Sequence, residues 1–376
     1  MKYNLVTVVW GKEYTEFFAE VVIPNLLTPG NLDALSRTSG PVFRLFTRPQ
    51  DARAIKGSPV FERVSKFITV EFNEISETDF SQNYLIVSKY HKKAIDAANK
   101  DKASIIIIGP DTIRAEGYMA NLIRIAESGK RAVMVSDVRV AKDTFLPEYM
   151  KGFFENGILG GIKPRELAKL ALEHLHPVSK SFLWSAKQFH NAPSLIYFEV
   201  PGEGILARCF HLIPVLVNPL GKDACFSTTF DNDYIANVCP DMQDIYVSID
   251  SDELMSVELS SLSYPSNAGK RPPSPLNIAA FAKYSTCAHN RFFFREKIRF
   301  HCEDISSRWE KTEEISDKAV AKIFYWLKFE PFLFWPYGIS LKAKGFIRNI
   351  IKFLIGESST RKLVGWVRSI STRISL

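Results

Sequence analysis

The sequence predicts an α/β protein built on a mainly parallel, Rossmann-type sheet. Apolar strand-like segments alternate with segments of helical period over the first 140 residues, which is typical of a doubly wound sheet. The run 104–108 is uninterrupted and apolar, as expected for a strand buried on both faces near the centre of a parallel sheet. Hydrophobic residues make up 46% of the chain and charged residues 24%, so it can bury a sizeable core.

The elements of this first half follow in a regular order. Pro24 is expected to distort the last turn of the first helix, because proline removes a backbone donor. The predicted strands span residues 5–10, 42–46, 67–72, 104–108 and 131–136, and the predicted helices 14–27, 81–99 and 117–128.

The second half changes character and is richer in strands. Pro164 opens a helix at its first turn, where proline is tolerated, and Pro177 ends it. Strands are predicted over 195–200, 206–210, 214–217, 245–249 and 254–259, and helices from about 276 to 328. The predicted organisation is an α/β half at 1–140, a mixed β-rich half at 141–260 continuous with it, a loop at 261–275, and a helical C-terminal region at 276–376.

Several protein classes are excluded by what the sequence lacks. It has neither the G-x-G-x-x-G of dinucleotide-binding enzymes nor the G-x-x-x-x-G-K-[ST] of P-loop NTPases. Its five cysteines show no C-x-x-C spacing, which fits a reducing cytoplasm better than a disulfide framework or a zinc ribbon. The N-terminal apolar run is too short for a signal peptide, and no stretch reaches the roughly 18 apolar residues of a membrane-spanning helix.

Polar and aromatic side chains follow three of the predicted strands. In open α/β sheets, ligands bind beyond the carboxyl ends of the strands. The candidate ligand-binding residues at those ends are Trp10, Gly11, Tyr14, Arg48 and Asp111.

These residues resemble the nucleotide-sugar-binding half of GT-A-fold glycosyltransferases. The resemblance lies in a first strand ending in Trp10-Gly11, a helix with Tyr14, the turn 29–31, and a fourth strand ending in the acid Asp111. Segments 173–177 and 201–214 also resemble parts of bacterial glycosyltransferase-like proteins, so the likeness extends over about residues 1 to 260.

The resemblance implies a nucleotide-sugar donor and a D-x-D motif. In that motif, carboxylates hold Mg²⁺ or Mn²⁺ against the donor diphosphate, and the cation offsets the charge of the leaving group. This sequence reads Gly109-Pro110-Asp111 and so has one acid only. Either a second carboxylate comes from elsewhere, or the site holds no metal.

A literal D-x-D occurs later, as Asp231-Asn232-Asp233. Residues two apart on an extended segment share a face, so both carboxylates can reach one cation or substrate. The alternative is a polar turn with capping aspartates. The candidate metal ligands are therefore Asp111, Asp231 and Asp233.

His211 lies among apolar residues at the boundary of a predicted strand. It is either a core histidine or an active-site base that contacts phosphate or metal. The catalytic candidates are Asp231, Asp233 and His211.

The C-terminal tail is basic and aromatic. After residue 340, eight lysines and arginines face the single acid Glu357, and the whole chain carries a net charge of +7. Apolar and basic residues mixed at helical spacing are typical of an amphipathic helix on an anionic membrane surface. The alternative is a helix packed on the core with a solvated basic face. The sequence contains no nucleic-acid-binding motif, so no nucleic-acid partner is expected.

Together these features predict a cytoplasmic glycosyltransferase that is peripheral to the inner face of the plasma membrane. It would transfer a sugar from a nucleotide-sugar to a membrane-linked or surface-polysaccharide acceptor. The alternative is a GT-A-like subunit without transfer activity that serves as a binding or scaffold component of an envelope assembly, and the single acid at Asp111 keeps this alternative open.

Overall fold

The computed structural model describes residues 1–77, 79–80, 83–155, 158–222, 230 and 233–328. The described residues fall into two compact units, one within 1–274 and 286–320, the other of residues 275–285 and 321–328. The predicted membrane-binding tail and Asp231 lie outside the described residues. Among the helices that are described, none is both long and apolar enough to cross a membrane.

The strands and helices are numbered separately in chain order. The strands are β1 Tyr3–Val8, β2 Val42–Thr47, β3 Thr69–Glu74, β4 Ser104–Ile107, β5 Thr112–Arg114, β6 Ala132–Val135, β7 Val138–Ala141, β8 Phe154–Glu155, β9 Ile158–Leu159, β10 Leu195–Val200, β11 Gly204–Cys209, β12 Ile213–Val217, β13 Ile245–Val247, β14 Ser256–Ser260 and β15 Ile298–His301. The helices are α1 Lys12–Phe17, α2 Ile23–Leu26, α3 Leu32–Ser36, α4 Pro49–Lys56, α5 Pro59–Val64, α6 Asn83–Asp101, α7 Tyr118–Glu127, α8 Lys142–Phe153, α9 Pro164–Glu173, α10 Pro177–Lys180, α11 Tyr234–Val238, α12 Pro275–Ser285, α13 Ala288–Phe293 and α14 Ser307–Lys328.

A mainly parallel sheet forms the centre of the first unit, as the sequence predicted. Within the described residues it has seven strands in the order β3-β2-β1-β4-β12-β6-β13. Only β12 runs antiparallel to its neighbours in this set, pairing with β4 on one side and β6 on the other. If the seven strands of this sheet alone are numbered 1 to 7 in chain order, their spatial order is 3-2-1-4-6-5-7. The sixth of them, β12, is the antiparallel strand. The fold is therefore mixed α/β, as the sequence predicted.

The central strands are buried because their sequences are apolar on both faces. Every residue of β1 is buried, and Leu5 lies between Phe43 of β2 and Ile106 of β4. Helix α6 packs on β1 and β4, and α7 packs on β6. The uninterrupted Ile run therefore occupies the position expected of it, next to the first strand at the middle of the sheet.

The first helical region is interrupted where Pro24 predicts a distortion. Helix α1 passes into a π-helical segment, Phe18–Val22, and then into α2, which carries Pro24 in its first turn. Because proline has no backbone N–H, the wider π turn accommodates the missing donor. The buried residues of all three pieces, from Phe17 to Leu26, pack into the core.

A small mixed sheet extends the chain beyond the carboxyl ends of two central strands. Strand β5 follows β4 and strand β7 follows β6, while β14 pairs antiparallel with β5 and parallel with β7. In this register Glu258 lies beside both Thr112 and Arg139. The sheet therefore brings three segments, more than 100 residues apart at the extremes, to the same edge of the fold.

One element differs in type from the prediction. The region from 276 onward was expected to be helical, yet Ile298–His301 forms strand β15, antiparallel to β11. A strand of four residues shows little periodicity, and its partner is about 90 residues away in the chain, so tertiary pairing decides its structure. Gly204 allows the close approach, because a Cβ there would lie 2.1 Å from the Phe300 carbonyl oxygen.

Candidate functional site

A pocket of about 280 Å³ lies beyond the carboxyl end of β4. Helix α1 forms one wall, the small mixed sheet forms the floor, and the loop that follows β14 forms the opposite wall. The lining residues are Glu13, Tyr14, Phe17, Asp111, Arg139, Lys142, Leu259, Ser260, Ser261, Ser263, Tyr264 and Glu258. A pocket at this edge is where the sheet topology predicts a ligand.

The floor of the pocket carries an ion-pair network set by strand register. The Arg139 guanidinium donates to the Glu258 carboxylate over 2.7 Å, from neighbouring positions on β7 and β14. The Leu259 N–H donates to the Asp111 carbonyl oxygen over 2.9 Å, which fixes the backbone of Asp111 beside the same strand. Two carboxyl-bearing residues and one guanidinium are therefore brought together, Arg139 and Glu258 on adjacent strands and Asp111 directly before β5.

Both carboxyl groups of the floor have raised pKa values. Burial raises the pKa of Asp111 to about 6, and the nearby Asp137 charge adds to this while Arg139 opposes it. Burial likewise raises the pKa of Glu258 to about 7; Arg139 opposes the rise, and the charges of Asp111 and Asp137 add to it. Each side chain is partly exposed to the pocket yet surrounded by protein, so the ionised forms are poorly solvated. Both carboxyls therefore hold a proton at a higher pH than an exposed acid does.

A second layer of charge lies beneath this floor. Ser256 donates a hydrogen bond of 2.5 Å to Asp137, whose pKa is raised mainly by burial. Arg114 is buried, and the charges of Asp137 and Asp111 offset its desolvation in part. The Arg114 guanidinium also lies 5.7 Å from the centre of the Tyr118 ring. This layer holds the floor in place from below.

Aromatic rings form the sides of the pocket. Tyr14 is 53% exposed, and Tyr264 lies with its ring centre 5.0 Å from the Arg139 guanidinium. The buried His176 holds this wall: its Nδ1 accepts from the Val178 N–H, so its Nε2–H donates to the Ser261 carbonyl oxygen over 3.0 Å. Aromatic faces above charged and hydroxyl groups suit a polar ring such as a sugar.

Lys142 supplies a second cation at the pocket. Its ammonium lies 3.3 Å from the Glu13 carboxylate and 4.7 Å from the centre of the Phe17 ring. The Glu13 side chain is 76% exposed, so this pair is solvent-screened and opens at little cost. Lys142 is therefore available to an anionic ligand.

The sequence-predicted residues fall into two groups. Tyr14 and Asp111 line the pocket. Trp10, Gly11 and Arg48 instead meet at the ends of β1 and β2, where the Arg48 guanidinium donates twice to Asp51, over 2.6 and 3.1 Å, and the Gly11 N–H donates to Asp51 over 3.0 Å. Arg48 thus orders the loop after β1.

Trp10 belongs to a small aromatic stack in the same place. Its ring lies 5.3 Å from that of Phe80, and the Arg48 guanidinium lies 5.6 Å from the centre of the Phe80 ring. None of these three groups lines the pocket.

Of the three catalytic candidates, the structure describes His211 and Asp233. His211 lies two residues before β12, and because β12 is antiparallel, its start lies at the edge where β6 ends. Asp233 immediately precedes helix α11, whose Tyr234 stacks on Phe230 at 4.8 Å. Neither His211 nor Asp233 lines the pocket, and Asp231 is outside the described residues.

The pocket does not fit the cation that the GT-A resemblance implies. A Cβ at Gly109 would lie 2.3 Å from the Thr112 hydroxyl oxygen, so an aspartate there, as in D-x-D, would require Thr112 to shift. Arg139 is paired with Glu258 and electrostatically offsets Asp111, so a side-chain cation already stands among the carboxylates. Among the described residues, three side chains whose ligand atoms lie within 4.8 Å of one another are found outside this pocket.

That group is Asp250, Asp252 and His301, and it could bind a metal ion. His301 Nε2 lies 3.0 Å from an Asp250 oxygen and 3.8 Å from an Asp252 oxygen. The two aspartates form a further D-x-D in the sequence, Asp250-Ser251-Asp252, directly after the predicted strand 245–249. The sequence-based prediction rested on the Asp231 motif and passed over this one, whose histidine is 49 residues away.

Most of the charged floor of the pocket was also missed from the sequence. Arg139 and Glu258 each lie in a short strand and alternate with apolar residues. The one sequence feature that could have indicated a functional role is this single charged residue within an otherwise mainly apolar strand. Their pairing depends on which strands become neighbours, and a single sequence does not show that.

Comparison with known proteins adds little to the geometry. No known protein family matches the chain, and no curated protein matches it. Among solved structures, mouse xyloside xylosyltransferase 1 in its apo form matches at 13% identity and a TM-score of 0.28, over 40% of this chain and 59% of that one. A likeness at this level assigns neither a family nor an activity to the chain, so its function rests on the pocket.

Proposed function

We propose that this protein is a glycosyltransferase whose nucleotide-sugar donor and acceptor meet in the pocket above Asp111 and Glu258. The observation that carries the proposal is the pairing of two carboxyls of raised pKa with Arg139 at the carboxyl edge of a 3-2-1-4-6-5-7 sheet. Such groups at such an edge are typical of an active site.

Glu258 is the proposed general base, in place of Asp231, Asp233 and His211. A base works best when its pKa lies near the working pH, and that of Glu258 is about 7. It would accept the proton of the acceptor hydroxyl as that oxygen forms a bond to the anomeric carbon of the donor. The bond from that carbon to the diphosphate oxygen breaks in the same step, and the nucleoside diphosphate leaves with the electron pair.

The charge on the leaving diphosphate requires positive groups. Arg139 and Lys142 line the pocket and are proposed to supply them, because the described carboxylates of the pocket do not form a cation site. Asp111 is proposed to accept hydrogen bonds from sugar hydroxyls, and Tyr14 and Tyr264 to pack on ring faces. Trp10, beside the pocket, is proposed to contact the base of the donor.

The test is release of nucleoside diphosphate from a panel of UDP-, GDP- and CMP-sugars (nucleoside monophosphate for the last). Turnover by the wild-type chain should persist in EDTA and fall by a factor of about 100 or more in Glu258→Gln. Glu20→Gln is the matched control, since Glu20 lies outside this pocket. Full turnover in Glu258→Gln would contradict the assigned base, and loss in EDTA at an unchanged unfolding temperature would contradict the metal-independent site.

A second candidate function is a binding or scaffold subunit without transfer activity. Gly109, which replaces the first acid of the D-x-D motif, favours it. This alternative predicts that UDP or GDP raises the unfolding temperature while no donor in the panel is turned over.

The acceptor is proposed to be membrane-linked or part of a surface polysaccharide. Support comes from the composition of the tail, which carries eight basic residues and one acid after residue 340 together with Phe and Trp. The same feature supports a location at the inner face of the plasma membrane.

A further inference from the structure

We infer that Asp250, Asp252 and His301 form a binding site for a divalent transition-metal ion such as Zn²⁺, separate from the pocket. The inference does not depend on glycosyl transfer. None of the three residues lines the pocket, and their ligand atoms lie within 4.8 Å of one another.

The hydrogen bond of His301 determines which of its nitrogens faces the aspartates. Nδ1 lies 2.8 Å from the Glu303 carbonyl oxygen, which can only accept, so Nδ1 carries a proton. The side chain is 2% exposed, and its other nitrogen, Nε2, points at both carboxylates. In the neutral ring, Nε2 has a lone pair and no proton, so it has nothing to offer a carboxylate oxygen. A cation between them would satisfy all three groups.

The spacing matches metal coordination. Two ligands at about 2.1 Å from a tetrahedral ion are about 3.4 Å apart. The two distances from Nε2 to the carboxylates, 3.0 and 3.8 Å, lie on either side of that value. Small rotations of Asp250 and Asp252, whose side chains are 41% and 40% exposed, would complete the site.

The backbone already holds the two halves of the site together. The Ser251 N–H donates to the Arg299 carbonyl oxygen over 2.9 Å, and the His301 N–H donates to the Ser251 hydroxyl over 3.1 Å. Arg165 donates to both oxygens of Asp252 and so orients that carboxylate from outside. In metal sites, the ligating histidine usually donates its other N–H to a carbonyl or carboxylate, and the ligating carboxylates are themselves held by hydrogen bonds. His301 and Asp252 have both features.

The ligand set decides the class of ion. Imidazole suits Zn²⁺, Ni²⁺ and Co²⁺, whereas Mg²⁺ and Ca²⁺ prefer oxygen alone. The ion would join the turn after β13 to strand β15 and would act as a staple within the first unit. Without metal, the same residues can form an ion pair between protonated His301 and Asp250, because the pKa of His301 is raised mainly by its hydrogen bond to Asp250.

The experiment is titration of the metal-free full-length chain with Zn²⁺ at about pH 8, followed calorimetrically, with Co²⁺ absorption as a second readout. We expect one equivalent to bind, Mg²⁺ not to compete, and the affinity to fall at least about tenfold in His301→Gln and in Asp250→Asn. Asp304→Asn is the matched control: Asp304 also pairs with Arg165 but is no ligand, and its side chain is 91% exposed. Asp304→Asn and Glu258→Gln should bind as the wild type does.

Asp250→Asn keeps the test decisive if His301→Gln fails to fold, because Asp250 is at the surface. No Zn²⁺ binding by the wild type would overturn the inference and leave an ion pair between His301 and Asp250. Binding that survives both ligand variants would also overturn it, and loss of binding in Glu258→Gln would place the ion in the pocket instead.

Discussion

Replacing Glu258 with glutamine should change how stability depends on pH. The folded protein raises the pKa of this carboxyl from its usual 4.5 to about 7, so the folded state binds the proton more tightly than the unfolded chain does. Its contribution to the free energy of unfolding is therefore fully present below about pH 4.5 and is lost as the pH rises to about 7. Glutamine has the same shape and can still accept from Arg139, but it has no proton to lose.

The size of the effect follows from the difference between 4.5 and about 7, at about 1.4 kcal/mol per pH unit, which gives on the order of 3 kcal/mol. Because 28% of the Glu258 side chain is exposed, solvent reduces this free-energy difference, and we expect a measured change in the free energy of unfolding of about 1–2 kcal/mol. Between about pH 5 and pH 8 the wild type should lose that much more stability than Glu258→Gln does.

Urea unfolding at several pH values measures this difference directly, because the midpoint shifts while the slope stays constant. Glu310→Gln, which removes an exposed carboxylate, is the control and should follow the wild-type curve. If Glu258→Gln and the wild type lose equal stability over this range, then Glu258 is solvated like a surface acid, and its assignment as a base poised near neutral pH fails.

Three further predictions concern other parts of the chain. Gly204→Ala should lower the free energy of unfolding by about 3 kcal/mol or more in urea, because the new Cβ would lie 2.1 Å from the Phe300 carbonyl oxygen. Asp233→Asn should keep nucleotide release within about twofold, because Asp233 lies outside the pocket, whereas loss of turnover with unchanged stability would restore the sequence-based assignment. Replacing the basic residues of the last 16 positions with glutamine should abolish salt-sensitive co-sedimentation of the full-length chain with anionic vesicles, and unchanged co-sedimentation would show that the tail is not the membrane contact. Those residues are Arg361, Lys362, Arg368 and Arg373.

The sequence by itself determined the fold class, and it also predicted the edge of the sheet at which the pocket lies. Apolar runs such as 104–108 and the alternation of strands and helices are local patterns, which a single sequence displays directly. The mainly parallel sheet confirms the fold class that they predicted. Tyr14 and Asp111 were candidates because residues that follow a strand lie near its carboxyl end, and both line the pocket. Strand β15 was missed because four residues carry too little periodicity to outweigh a helical neighbourhood.

Only the tertiary structure decided which charges meet. Asp111, Arg139 and Glu258 lie on three strands or directly beside them, and nothing near each residue indicates that β14 inserts between β5 and β7. The same holds for His301, which is brought to Asp250 and Asp252 because Arg299 of β15 bridges to Asp250 in the turn after β13. A raised pKa arises from burial and from neighbouring charges, and both are properties of the folded chain. The sequence could therefore place one acid at the site, whereas the chemistry of its partners depends on strand register.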